Sequence, residues 1–72
     1  MSKRRFEFVD GKSFKFWEVT VNDCRVTVNF GRIGTAGHTQ TKTFHDADEA
    51  SRHAAKVTAA KVKKGYAEVA NV

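Results

Sequence analysis

The sequence predicts an α+β fold: a small antiparallel sheet of four to five strands packed against one C-terminal α-helix. Two observations carry this. Apolar residues recur mainly at every second position until about residue 44 and at helical spacing after it. The apolar set is also weighted toward strand formers, with nine Val and six Phe against no Leu, a composition that suits pleated surfaces better than a helical bundle. At 72 residues one domain over residues 1–72 is expected, since dividing the chain leaves neither half enough apolar area for a core.

The elements follow in order. Residues 4–9 are rich in β-formers and place Phe6 and Phe8 on one face. Asp10-Gly11 is a two-residue hairpin signal. Residues 13–21 form a long strand with Trp17, Val19 and Val21 on one face and Phe14, Phe16, Glu18 and Thr20 on the other. Asn22-Asp23 supplies the next turn. In residues 24–30, Val26, Val28 and Phe30 alternate with Arg25, Thr27 and Asn29. Three glycines within residues 31–37 break the pattern, and residues 39–44 resume as a polar strand closed by Phe44. Asp46 is placed to cap a helix, with Glu49 three residues on as its capping-box partner. Ala47, Ala50, Ala54, Val57 and Lys61 then share one helical face, and Gly65 is a C′ residue. Residues 66–69 return as a short fifth strand.

Thirteen Lys and Arg oppose eight Asp and Glu, a net charge of +5. Residues 1–45 hold eight basic and four acidic side chains, and residues 46–72 five and four, so the excess falls on the predicted sheet. Such a balance favours polyanionic partners, nucleic acid first, through counterion release and long-range steering. No apolar run approaches the roughly 20 residues a membrane helix needs, and no apolar stretch follows the basic start to make a secretory signal. A cytoplasmic protein with no membrane partner is expected, and its single Cys24 allows no disulfide within the chain.

Signals for catalysis are weak. His38, His45, His53 and Cys24 lack the close-pair spacing of metal ligands. Helix capping accounts for Asp46, Asp48 and Glu49. Gly34-Thr35-Ala36-Gly37 has the form of a nucleic-acid-clamping GXXG loop, but that loop joins helices and this one joins strands. No enzyme activity, cofactor or metal is expected.

The run from Phe16-Trp17-Glu18-Val19 through Val26-Thr27-Val28-Asn29-Phe30-Gly31-Arg32-Ile33-Gly34 to Gln40-Thr41-Lys42, with Lys64-Gly65-Tyr66 after the helix, resembles the WGR domain. This family occurs in poly(ADP-ribose) polymerases and in bacterial proteins, including ones described as molybdate-metabolism regulators. The resemblance implies a small antiparallel sheet crossed by a helix. It also implies a domain without catalysis of its own that helps detect DNA ends. The Trp-Gly-Arg signature is Phe30-Gly31-Arg32 here; phenylalanine keeps an aromatic face with less area and no indole N–H. In the polymerases the motif Trp packs against a sugar at the DNA terminus and the motif Arg joins DNA and neighbouring domains.

The expected function is therefore a non-enzymatic, monomeric module that binds nucleic acid, DNA rather than RNA, near an end or break. Phe30, Gly31, Arg32, Gln40 and Lys42 would form the contact, with Lys61 and Lys64 as outlying charge. The flanking glycines would let backbone approach a ligand, and Arg32 would pair its N–H groups with a phosphate. Two readings of Phe30 stand open: core, by strict alternation with Val26 and Val28, or an exposed platform turned outward by the glycines. The alternative function is a protein-interaction module that docks a partner polypeptide on the same surface.

Overall fold

The computed structural model describes residues 2–69. It contains strands β1 (Ser2–Asp10), β2 (Ser13–Asn22), β3 (Arg25–Arg32) and β4 (His38–Thr43), helix α1 (Ala47–Lys63) and a short strand β5 (Ala67–Val69). All neighbours are antiparallel and the sheet order is β4-β3-β2-β1-β5. A four-strand meander is thus extended at the β1 edge by the segment that follows the helix.

Both tight hairpins close one residue later than the turn dipeptides suggest. Asp10 pairs with Ser13 and Asn22 with Arg25, so the loops are Gly11-Lys12 and Asp23-Cys24. Asp23 takes φ 56°, a left-handed conformation that Asp tolerates because its short side chain bonds locally. Strand β3 does not stop at Phe30. Gly31 and Arg32 stay paired with Phe16 and Lys15 of β2, although β4 is paired with β3 only as far as Phe30 opposite His38.

The register divides the side chains between two faces. Phe6, Trp17 and Phe30 are aligned across three strands and face α1 with Val19, Val26, Ala50 and Ala54 to form the core. Phe6 and Trp17 rings meet at 5.7 Å in a tilted pair, a geometry favoured by their quadrupoles. The buried helix residues are Ala50, Ala54 and Thr58, all small, which brings α1 close to the sheet. Ala47, expected on that face, is exposed because the helix begins beyond the sheet's cover.

Both helix ends are capped. The Asp46 carboxylate accepts from the Glu49 N–H at 2.8 Å. Glu49 reaches back to the His45 N–H at 3.4 Å, one residue earlier than a standard capping box would place it. At the other end the Gly65 N–H donates to Val62 and the Tyr66 N–H to Lys61, with Gly65 at φ 110°. This is a Schellman motif, whose closing contact joins the residues at C3 and C″. Here those residues are Lys61 and Tyr66.

Candidate functional site

The Schellman motif builds the first wall of a cleft. It folds Tyr66 back so that the Lys61 ammonium stands 5.2 Å from the Tyr66 ring centre and 6.0 Å from that of Trp17. The hairpin after β1 brings Lys12, and the start of β2 brings Lys15. The continuation of β3 past Phe30 brings Arg32 directly opposite Lys15. These groups surround a cavity of about 500 Å³, with Phe30, Phe14 and Tyr66 among its apolar lining and no carboxylate in its wall.

The electrostatics of this cleft are one-sided. Like charges facing each other across an antiparallel pair are destabilising, and Lys15 opposite Arg32 is such a pair. Burial, with Lys64 and Lys15 as like-charged neighbours, pulls the Lys61 ammonium below the ordinary lysine value. Among the described residues, neither Lys12, Lys15, Arg32 nor Lys61 makes an ion pair with a carboxylate. A polyanion held between Lys15 and Arg32 would offset their mutual repulsion.

The residues expected from sequence fall into three groups. Phe30, Gly31, Arg32 and Lys61 come together in the cleft, so Lys61 is central rather than outlying. Gln40 borders a smaller depression, of about 350 Å³, that shares Phe30 and Lys61 with the cleft. Lys42 lies further along β4 beside Gln40, its ammonium 5.5 Å from the Phe44 ring centre. Lys64 lines neither depression nor the cleft; as the helix C-cap it acts on Lys61 through charge.

Phe30 follows Val26 and Val28 onto the helix side, as alternation requires, yet it is only half-buried. One part of its ring closes the core and another forms cleft wall, so it is neither sealed beneath the helix nor turned outward on the far face. Its nearest ring neighbour is His38, at 6.1 Å.

Gly31 is also packed closely against the chain's own backbone. A Cβ built on Gly31 would lie 2.9 Å from the Gly37 Cα. A Cβ on Gly37, itself at φ 74°, would lie 2.7 Å from the Phe16 ring. The close backbone approach is internal: the loop folds over the sheet face away from α1 and seals Phe16, which is 3% exposed. Ile33 N–H to the Phe14 carbonyl at 2.8 Å anchors the loop, and the Thr35 hydroxyl donates to the Arg32 carbonyl at 2.7 Å. Gly34, at φ 96° with open space around it, is a turn residue.

Lys12, Lys15 and Tyr66 were not anticipated as site residues. Lys15 carried a usable signal, since it shares strand parity with Trp17 and so faces the helix side. Lys12 and Tyr66 reach the cleft through a turn and a helix cap, which alternation does not describe. Among the described residues no group of three or more His, Cys, Asp and Glu could hold a metal ion, and no helix is long and apolar enough to cross a membrane.

Comparison with known proteins places this geometry. A family model described as the WGR domain matches residues 2–72. The uncharacterized protein YfeS of Escherichia coli K12 is 42% identical over 66 residues, covering 92% of this chain and 27% of its own length. Protein YehF of the same organism is 42% identical over 67 residues, covering 93% and 24%. A crystal structure of a Bacteroides fragilis protein superposes with a TM-score of 0.93 at 49% identity, covering 96% of this chain and 20% of that one. The chain spans about a quarter of the length of the curated relatives it matches.

Proposed function

The chain belongs to the WGR family, and on that premise we propose that it is a non-enzymatic nucleic-acid-binding module that grips DNA near an end through the cleft between the β1–β2 hairpin, the end of β3 and the end of α1. The observation that supports this most is the convergence of Lys12, Lys15, Arg32 and Lys61 on one concavity with no carboxylate in its wall. Arg32 and Lys15 supply phosphate contacts that position the duplex. Phe30 and Tyr66 offer flat apolar surface to a terminal sugar or base, the kind of face on which nucleic-acid rings pack. A terminus fits better than an internal stretch, because a concavity walled on several sides accepts an end more readily than a continuous rod.

An amide chemical-shift titration with a blunt duplex tests the reading. Shifts should cluster at residues 12–16, 30–32, 61 and 66, and affinity should fall steeply as salt rises. Arg32→Ala should weaken binding by about 1–3 kcal/mol, the scale of a charge-assisted contact, without lowering the unfolding midpoint, since it also removes the like charge facing Lys15. Absence of binding at low salt, or shifts confined to the Thr-rich face of β4, would falsify it.

A second reading is a docking module for a polypeptide. It is favoured by the length of the relatives, in which the matched region is one part of a larger chain, and by Phe14 at the cleft mouth, 45% exposed beside Val9 at 63%. Nuclease-resistant recovery of a single protein partner, lost on Phe14→Ser, would select it.

A further inference from the structure

Lys61 has a property that holding a phosphate does not require. Its ammonium meets aromatic faces rather than a carboxylate, with Tyr66 and Trp17 at 5.2 and 6.0 Å. Lys15 lines the same cleft, and burial with the nearby charges of Lys64 and Lys15 lowers its hold on the proton. A desolvated amine beside other cations loses its proton more readily, and the neutral form carries the lone pair that attacks carbonyl carbon. The surroundings also sort ligands. Lys12, Lys15 and Arg32 would hold a phosphate group against one wall, and Phe30 and Tyr66 add apolar lining to the same cavity of about 500 Å³.

We propose that Lys61 is a nucleophilic amine that forms an imine with phosphorylated aldehydes seated in this cleft. The neutral Nζ attacks the aldehyde carbon, and the carbonyl electron pair moves onto oxygen, which takes up a proton. The resulting carbinolamine then loses water to give the C=N bond. One aldehyde and one amine yield one imine and one water, with no change in oxidation state and no further reactant. Arg32 and Lys15 act by fixing the phosphate; they take no part in bond making. The inference rests on the same phosphate-holding cleft as the proposed function, but it does not require that the phosphate belong to a duplex. Two sources share the chemistry: a free phosphorylated aldehyde, and the open-chain sugar left where a nucleic acid has lost a base.

The test uses the intact chain with three probes, each trapped by cyanoborohydride and mapped by peptide mass spectrometry. These are pyridoxal 5′-phosphate, pyridoxal without phosphate, and a duplex with one baseless deoxyribose at its end. Among the eight lysines, Lys61 should be labelled by at least one phosphorylated probe about tenfold above the mean of the others, the factor equivalent to about 1.4 kcal/mol of phosphate binding. Whichever of those two probes is captured identifies the source. Lys61→Arg should abolish the selective adduct and Lys64→Arg should retain it, while labelling of the wild type in urea should become even. Uniform labelling of all lysines by both phosphorylated probes overturns the inference, as does equal selectivity for pyridoxal with and without its phosphate. Duplex binding without selective labelling defeats this inference alone. Selective capture of pyridoxal 5′-phosphate by a chain that ignores duplex DNA defeats the DNA reading alone.

Discussion

The cations of β1 and those of the cleft are the same residue types in two opposite situations. On β1, Arg4 makes a two-point contact with Glu68 of β5, both bonds at 2.8 Å. Arg5 bonds Glu18 at 2.8 Å and Glu7 at 3.0 Å while its guanidinium lies 4.7 Å from the centre of the Phe16 ring. Lys3 stands 3.6 Å from Glu18. Three basic side chains are thus neutralised by three carboxylates, Arg4 on the helix side of the sheet and Arg5 and Lys3 on the opposite face. At the other end, Lys12, Lys15, Arg32 and Lys61 share one cavity with no carboxylate in its wall. A net charge of +5 therefore understates how uneven the field is: one region spends its cations on holding strands together, and the other leaves them facing water. Sites that break the ordinary rule of mixed charge are where function is to be sought.

The contrast can be broken at several points, beginning with the loop that covers Phe16 and carries β3 into the cleft. Gly37→Ala puts a Cβ against the Phe16 ring, the Phe30 carbonyl and the Asn29 side chain, all within 2.8 Å, at a φ of 74°. Left-handed strain and overpacking together should cost about 2–4 kcal/mol in urea unfolding. Arg5→Ala removes the cation between Glu7 and Glu18 and uncovers Phe16. It should lower stability by about 1–3 kcal/mol and leave duplex affinity nearly untouched, the reverse of Arg32→Ala.

Smaller effects sharpen the same comparison. Lys15→Thr relieves the like-charge pair with Arg32 and should raise stability by roughly 0.2–1 kcal/mol while weakening DNA binding. A stability loss there would mean that the cleft is not electrostatically strained. The Arg4–Glu68 bond holds the Glu68 carboxyl below its ordinary range. A depressed acid contributes stability that is present above the unfolded value and is lost as pH falls through the folded one. Urea midpoints followed from neutral pH down through the carboxylate range should therefore fall slightly further for the wild type than for Arg4→Ala, because the variant has no such bond to lose.

Much of the architecture was legible because period and capping are local. The change of pattern after Phe44, the Asp46 cap and the Gly65 stop delimit α1 within a residue or so. Alternation put Trp17, Val19, Val26 and Val28 on the core face. The hairpin loops were displaced by one residue because a turn dipeptide marks where the chain reverses but not which neighbours close the ladder. The surroundings of Gly31 were illegible for a related reason. A glycine signals close approach, and only the folded chain shows that Gly37, packed over Phe16, is a group that approaches it.

The order of the elements, the helical and strand faces and the presence of an aromatic–Gly–Arg corner were determined by the sequence alone, since each depends on neighbours a few positions away. What the tertiary structure alone decided is which charges meet. Glu68 is sixty-four positions from the Arg4 it neutralises, and Lys61 reaches Lys15 only after the helix has crossed the sheet. Coulomb interaction depends on distance in space and on the water between groups, and neither quantity is written in the order of residues along the chain.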